Sequence, residues 1–249
     1  MKGGLGRVQY TEFLTEQLLE DLKRGVSEAA LKEKYGLSSE ELRELLDQRR
    51  ASSAARSTES ASSPDLYDSE FEITHRFTGE TIFRGWADCL RSLVQLAAVS
   101  GQNLSQAFLT NANLVGVTLE GAVMNVVDLT GADLSQANLN GARLVNAKLS
   151  SSRLNGTTLR GADLTGADLS DADLTGANLA WARLVNADLS EANLTRANLF
   201  GADLSGANLF ESILTDVNLV GANLEGTLLL GCRMSGARRT WTKGIDEER

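Results

Sequence analysis

From Asn103 to Arg233 the apolar positions recur every five residues without a slip. A leucine stands at 104, 109, 114, 119, 129 and onward to 229, with Met124 and Met234 as substitutes. Two residues ahead of most leucines is an alanine, as at Ala107, Ala112, Ala122, Ala132, Ala162 and Ala197. Asp or Asn separates the two, and Ser or Thr followed by Gly comes after the leucine, so the consensus reads A-[D/N]-L-[S/T]-G. A period of five fits neither a helix nor a simple strand, so each unit is a short piece of backbone that reuses one geometry. Residues two apart in extended backbone share a side. Alanine and leucine therefore point in and Asp or Asn points out. Ser/Thr-Gly makes a corner, with the hydroxyl bonding nearby backbone and glycine admitting the tight turn. Corners of one hand wind the chain into a coil, and coils stack by backbone hydrogen bonds roughly 4.8 Å apart.

The charges set the size of the coil. If four units make one coil, residues twenty apart lie above one another. The outward slots then form columns: Arg143, Asp163, Arg183, Asp203; Asp128, Lys148, Asp168, Asp188; Asp133, Arg153, Asp173. A fourth column, Thr118, Asn138, Thr158, Asn178, Asn198 and Asn218, is uncharged. At this offset seven vertical neighbours are opposite in sign and one pair, Asp168 with Asp188, is alike. An offset of fifteen gives five opposite and two alike, and twenty-five gives three and one, so twenty is selected. Opposite charges facing each other across neighbouring strands contribute about 0.2–1 kcal/mol each.

With these units in view, residues 101–236 resemble a pentapeptide-repeat protein, and about twenty-seven consecutive units carry the resemblance. It implies a mainly β fold: a right-handed quadrilateral β-helix of about seven coils, roughly 30 Å tall at that spacing. It also implies a binding or scaffolding module without catalysis, of a kind numerous in cyanobacteria.

The rest of the chain divides around this solenoid, which is placed at 101–238. Residues 1–50 predict a small domain of three helices. The first carries Leu14, Leu18, Leu19 and Leu22 on one stripe and closes on Lys23, Arg24 and Gly25. The third opens with a capping box of Ser38 and Glu41 and a staple of Leu37 with Leu42. The segment VSEAALKEKYGLSSEELREL looks like a helix-turn-helix. Its last helix, however, opens with Ser39, Glu40 and Glu41 and continues to Glu44 and Asp47, acids that repel phosphate. Residues 51–68 read as a flexible Ser/Ala-rich linker. Residues 69–100 read as a β-hairpin around Thr78-Gly79-Glu80 and a helix that lids the first coil. Residues 239–249 form a tail.

Composition narrows the function. The 249 residues carry a formal net charge of -9, which discourages non-specific nucleic-acid binding. No signal peptide opens the sequence and no apolar run reaches membrane-spanning length, so a cytoplasmic protein without membrane insertion is expected. Cys89 and Cys232 suggest no disulfide framework, and with the single His75 they are too scattered for zinc. Asp128, Asp163, Asp168 and Asp173 occupy the repeat's outward slot, which favours a structural ladder over catalytic carboxylates. Gly3, Gly4 and Gly6 lack the strand and helix a phosphate loop requires. No enzyme activity, cofactor or metal is expected.

The leading expectation is a protein-interaction scaffold or regulatory adaptor: a rigid solenoid face with a tethered helical recruitment domain. The alternative is a DNA mimic of the gyrase-protecting kind found in the family, which implies an acidic rod that dimerises through its C-terminal end. Alternation of acids with Arg143, Lys148, Arg153 and Arg183 counts against it. A DNA-binding regulator acting through the N-terminal helices is the distant third. The ladder is assigned to Arg143, Asp163, Arg183 and Asp203. Outward apolar residues concentrate near the end of the repeats, at Phe200, Phe210, Ile213, Val220, Leu228 and Leu230, with Trp181 at a corner between Gly161 and Gly201. The Phe210–Leu230 strip is expected to be covered by the tail through Trp241. Trp181, Phe200 and Val220 are expected to meet a protein partner or a second copy of the chain.

Overall fold

Each repeat folds as read: an extended triplet followed by a two-residue corner. The computed structural model describes residues 69–240 and 242–244, apart from Asp88. The expected helical domain at 1–50, the linker and Trp241 lie outside them. Successive coils are joined by parallel bridges between residues twenty apart, beginning with Phe108 to Asp128 and ending with Asn223 to Lys243. Four faces result. The first carries Phe108, Asp128, Lys148, Asp168, Asp188, Asn208 and Leu228, and the second Asn113, Asp133, Arg153, Asp173, Asn193, Ile213 and Arg233. The third carries the uncharged column from Thr118 to Asn218 and ends at Arg238, and the fourth runs from Val123 through Arg143 and Arg183 to Lys243.

Backbone bonding is regular. The Leu149 N–H donates to the Asp168 carbonyl at 2.7 Å, and the Asp168 N–H donates to the Ala147 carbonyl at 2.9 Å. At each corner the leucine carbonyl also accepts the N–H three residues on, as Ala172 donates to Leu169 at 3.1 Å. The third residue of this turn takes a positive φ, 66° at Gly166 for instance, which is why glycine recurs there.

The leucines fill the interior. Leu149, Leu169 and Leu189 are fully buried one above another, with Ala147, Ala167 and Ala187 beside them. Full burial of one such side chain contributes about 1.5–3 kcal/mol. Hydroxyls that intrude into alanine slots find carbonyl partners: Ser152 donates to Leu149, Thr157 to Leu134 and Ser212 to Leu209, at 2.6–2.8 Å. Among the described residues no buried side-chain nitrogen or oxygen lacks a partner.

The first coil is lidded. Strands β1 (Ser69–Thr74) and β2 (Thr81–Ala87) pair antiparallel, and helix α1 (Leu90–Val99) follows. Leu93, Val94 and Ala97 of α1 and Ile73 of β1 are buried with the solenoid leucines. Gly101, at φ 70°, ends α1: its N–H donates to Ala98 and that of Gln102 to Ala97, a Schellman closure that leads into the first repeat. At the other end Leu229, Cys232, Met234 and Ala237 are only partly buried. Arg239 and Gly244 stand where leucine would continue the series.

Two substitutions at adjacent positions test this inside–outside assignment. Leu169→Asp places an unpaired carboxylate in the core, costs several kcal/mol and should abolish cooperative folding. Asp168→Asn should stay within about 0.5 kcal/mol of the parent. Asn193 shows why: its Oδ1 accepts the Thr195 N–H and hydroxyl as Asp168 accepts those of Ser170. Equal thermal melting of the two variants would refute the assignment.

Candidate functional site

The outward Asp and Asn side chains do more than face solvent. Asp163 Oδ1 accepts the Thr165 N–H at 3.1 Å and its hydroxyl at 2.6 Å, and Asp203 does the same with Ser205. The corner hydroxyls expected to bond backbone therefore bond the preceding carboxylate, because a charged acceptor two residues away is the stronger partner. Burial opposes ionisation of Asp163. The Thr165 hydroxyl and N–H, helped by Arg183 and Arg143, outweigh it and hold the pKa below the ordinary carboxylate value. Asp133 and Asp203 are lowered in the same way, again with desolvation as the opposing contribution.

The ladder residues stand together on the fourth face. Arg143 is bridged to Asp163, Asp163 to Arg183 and Arg183 to Asp203, and Arg183 Nη1 lies 3.6 Å from Asp163 Oδ2. On the second face Arg153 approaches Asp133 at 3.8 Å. Both arginines are more than 60% exposed, so each pair contributes no more than about 1 kcal/mol. Asp128 has a partner that the columns do not reveal. Arg76, from the hairpin turn, is nearly buried, donates to the Val126 carbonyl at 3.1 Å and lies 3.7 Å from Asp128. His75 also serves the turn, its Nδ1 accepting the N–H groups of Phe77 and Thr78.

The apolar candidates divide between two corners. Trp181, Phe200 and Val220 share the corner between the third and fourth faces. Phe210 and Leu230 share the diagonally opposite corner, between the first and second faces, with Leu228 beside them on the first. Thr240 and Thr242 stand on the Trp181 side, at the third-to-fourth corner and the start of the fourth face.

Trp181 adopts φ 63° where Gly161 and Gly201 stand below and above it. Its ring lies over Gly201, where an added methyl would come within 2.6 Å of it. It meets Phe200 edge to face, with centroids 5.2 Å apart and planes at 83°. Trp181 is 53% exposed and Phe200 38%. The uncharged column holds this corner from behind. Asn198 Oδ1 accepts the Phe200 N–H and the Asn218 amide, while Asn218 Oδ1 accepts the Val220 N–H.

Sequence reading missed a further apolar pair, Phe77 in the hairpin turn and Phe108 on the first face, 68% and 53% exposed. Phe108 carried a signal, since it occupies an outward slot. Among the described residues no group of three or more His, Cys, Asp or Glu is placed to hold a metal, and no helix is long and apolar enough to cross a membrane.

Such a surface, with fixed columns of side chains on a narrow four-sided coil, defines a pentapeptide-repeat solenoid. The chain belongs to the pentapeptide repeat family. Eight copies of the family model match, over residues 96–131, 128–166, 142–179, 152–190 and 177–216. Pentapeptide-repeat proteins fold as right-handed quadrilateral β-helices and are generally non-enzymatic structural or interaction proteins.

Solved relatives include Rfr23 from the cyanobacterium Cyanothece 51142, 35% identical over 41% of this chain, with a TM-score of 0.35. The chain spans 65% of the length of Rfr23. HetL of Nostoc sp. strain PCC 7120, a protein involved in heterocyst differentiation regulation, is 31% identical over 56% of this chain and 77% of its own, with a TM-score of 0.36. The Nostoc protein alr5209 is 32% identical over 58% of this chain and 94% of its own, with a TM-score of 0.24. No curated protein matches the chain.

Two measurements test the electrostatics. Arg183→Glu puts three acids on adjacent rungs and should cost about 1 kcal/mol, or about 2–4 °C in melting temperature. Arg238→Glu, which faces Asn218, should cost less, and 1 M salt should close the gap as the screening length falls to about 3 Å. Acid should act in one direction. Carboxylates with a lowered folded-state pKa stabilise above the unfolded value of about 3.9, and that contribution disappears as pH falls through the lower folded value. Melting temperature should therefore hold from pH 7 to about 5 and drop below about 4. An Asp133→Asn, Asp163→Asn, Asp203→Asn triple variant should show a shallower drop.

Proposed function

We propose that this chain is a non-enzymatic protein-interaction module whose partner docks on the corner formed by Trp181, Phe200 and Val220. The observation that carries this reading is the conformation of Trp181. A left-handed backbone costs a residue with a side chain roughly 1–2 kcal/mol, and glycine occupies this position in the coils on either side. The contact with Phe200 returns about 0.5–1.5 kcal/mol beyond area burial, of the same order as that cost, and Trp181 nevertheless stays 53% exposed. Strain at an exposed aromatic is a recurring mark of a binding position.

The third face, uncharged from Thr118 to Asn218, suits a protein partner, because contact on that side of the corner desolvates no charge before Arg238. The module acts as a scaffold or regulatory adaptor, with residues 1–50 as a second recruiting element. A nucleic-acid mimic is the second reading, favoured by the net charge of -9 and weakened by the alternation of Arg143, Asp163, Arg183 and Asp203.

The test is affinity purification of the tagged full-length chain from its native cell, alongside Trp181→Gly and the Phe200→Ser, Val220→Ser double variant. Trp181→Gly should leave the melting temperature unchanged or raise it slightly, since relieved strain offsets the lost ring contact. Both variants should lose the specific partner of the parent. If they capture every protein that the parent captures, the working surface lies elsewhere.

A further inference from the structure

The diagonally opposite corner carries a different chemistry. In three successive coils its positive-φ position is occupied by an acid: Asp171 at 57°, Glu191 at 60° and Glu211 at 56°. Their backbones are stacked, Asp171 N–H donating to Ser190, Glu191 to Phe210 and Glu211 to Leu230. All three side chains are exposed. Beside them on the first face is the like-charged rung Asp168–Asp188, with Lys148 below it, and no base stands in the corner column itself, unlike the alternating fourth face. Directly above, toward the end of the coil, the surface becomes apolar. Leu228 is 48% exposed, Leu230 is 67% exposed, and Phe210 lies half-buried beneath Leu230.

We infer that this strip is a docking site for a basic amphipathic protein segment, apolar at one end and rich in Lys or Arg along the rest. Its apolar end would seat on Phe210, Leu228 and Leu230, and its cations would run down the corner past Glu211, Glu191 and Asp171. Four rungs at roughly 4.8 Å span about 15 Å, the length of about ten helical residues.

Charge complementarity chooses this occupant over the others. A second copy meeting the strip through a twofold contact would bring the same acids face to face. The chain's own last five residues, Ile-Asp-Glu-Glu-Arg, carry three acids and one base, the wrong sign for this surface. Attraction between a basic segment and stacked acids also speeds encounter and makes it salt-dependent. The site is independent of the Trp181 corner, so the two proposals fail separately.

The test uses the full chain and fluorescein-labelled synthetic peptides read by anisotropy. One peptide has a leucine-rich end followed by lysines, a second replaces the lysines with glutamates, and a third keeps the lysines but replaces the leucines with serines. The first should bind at least tenfold more tightly than either control, and more weakly as salt rises. Leu228→Ser with Leu230→Ser should weaken it at least tenfold. Asp171→Asn, Glu191→Gln and Glu211→Gln together should do the same and flatten the salt dependence, with melting temperature unchanged or slightly raised. Trp181→Gly should bind within twofold of the parent. The inference is overturned if the first peptide fails to bind, if either control binds equally well, or if the triple variant binds as the parent does. It is also overturned if the parent sediments as a dimer that the double leucine variant dissociates.

Discussion

A corner that closes every fifth residue is the constraint on which this molecule depends. Each one requires a residue at positive φ and a turn bond to the leucine carbonyl, and where Asp or Asn precedes the leucine its side chain also accepts the N–H that follows. Gly166, the Ala167 N–H to Leu164 carbonyl bond and Asp163 supply these for one corner. Four such corners return the chain to its starting direction, and the leucines then meet at the centre because they stand one residue before each turn. Burial of leucine drives the winding, but corner geometry sets its period. A slip of one residue would place Asp168 where Leu169 belongs, so register is strongly enforced.

Strict register explains how much of the fold is legible in the sequence. Once residues twenty apart are neighbours, a one-dimensional pattern becomes a surface. The alternation of Arg143, Asp163, Arg183 and Asp203 is readable because every rung is offset by the same number. The clustering of Trp181 with Phe200, and its diagonal separation from Phe210 and Leu230, follows from the same arithmetic. The candidate site is thus legible as a placement.

What a side chain does at its place is less legible. The repeat marks Asp163 as outward, yet its main partners are the hydroxyl and N–H of Thr165 on its own corner, with Arg183 third. Arg76 shows another limit. It lies outside the repeats, where no period predicts its neighbours, and it reaches Asp128 only because the hairpin joins the first face through the bridge from His75 to Ala107. The edge-to-face contact of Trp181 with Phe200 depends on the room above Gly201, which spacing suggests but ring orientation decides.

The same regularity gives departures from it their meaning. Among the described residues thirteen other than glycine take the positive-φ corner, but in the column of Trp181 glycine holds the coils on either side, so the tryptophan stands out there. Val126, at φ 58°, also departs from glycine, and its backbone carbonyl, which any residue would supply, receives Arg76. Trp181 gains the edge-to-face contact with Phe200, while Asp171, Glu191 and Glu211 form no ion pair among the described residues. Their strain or mutual repulsion is retained where glycine would remove it. Because the core is built mainly from layers of Leu and Ala that point away from the corners, such departures leave the interior untouched. A solenoid of this kind can therefore carry two chemically unlike surfaces on opposite corners, each adjustable without disturbing the other or the coil that holds both.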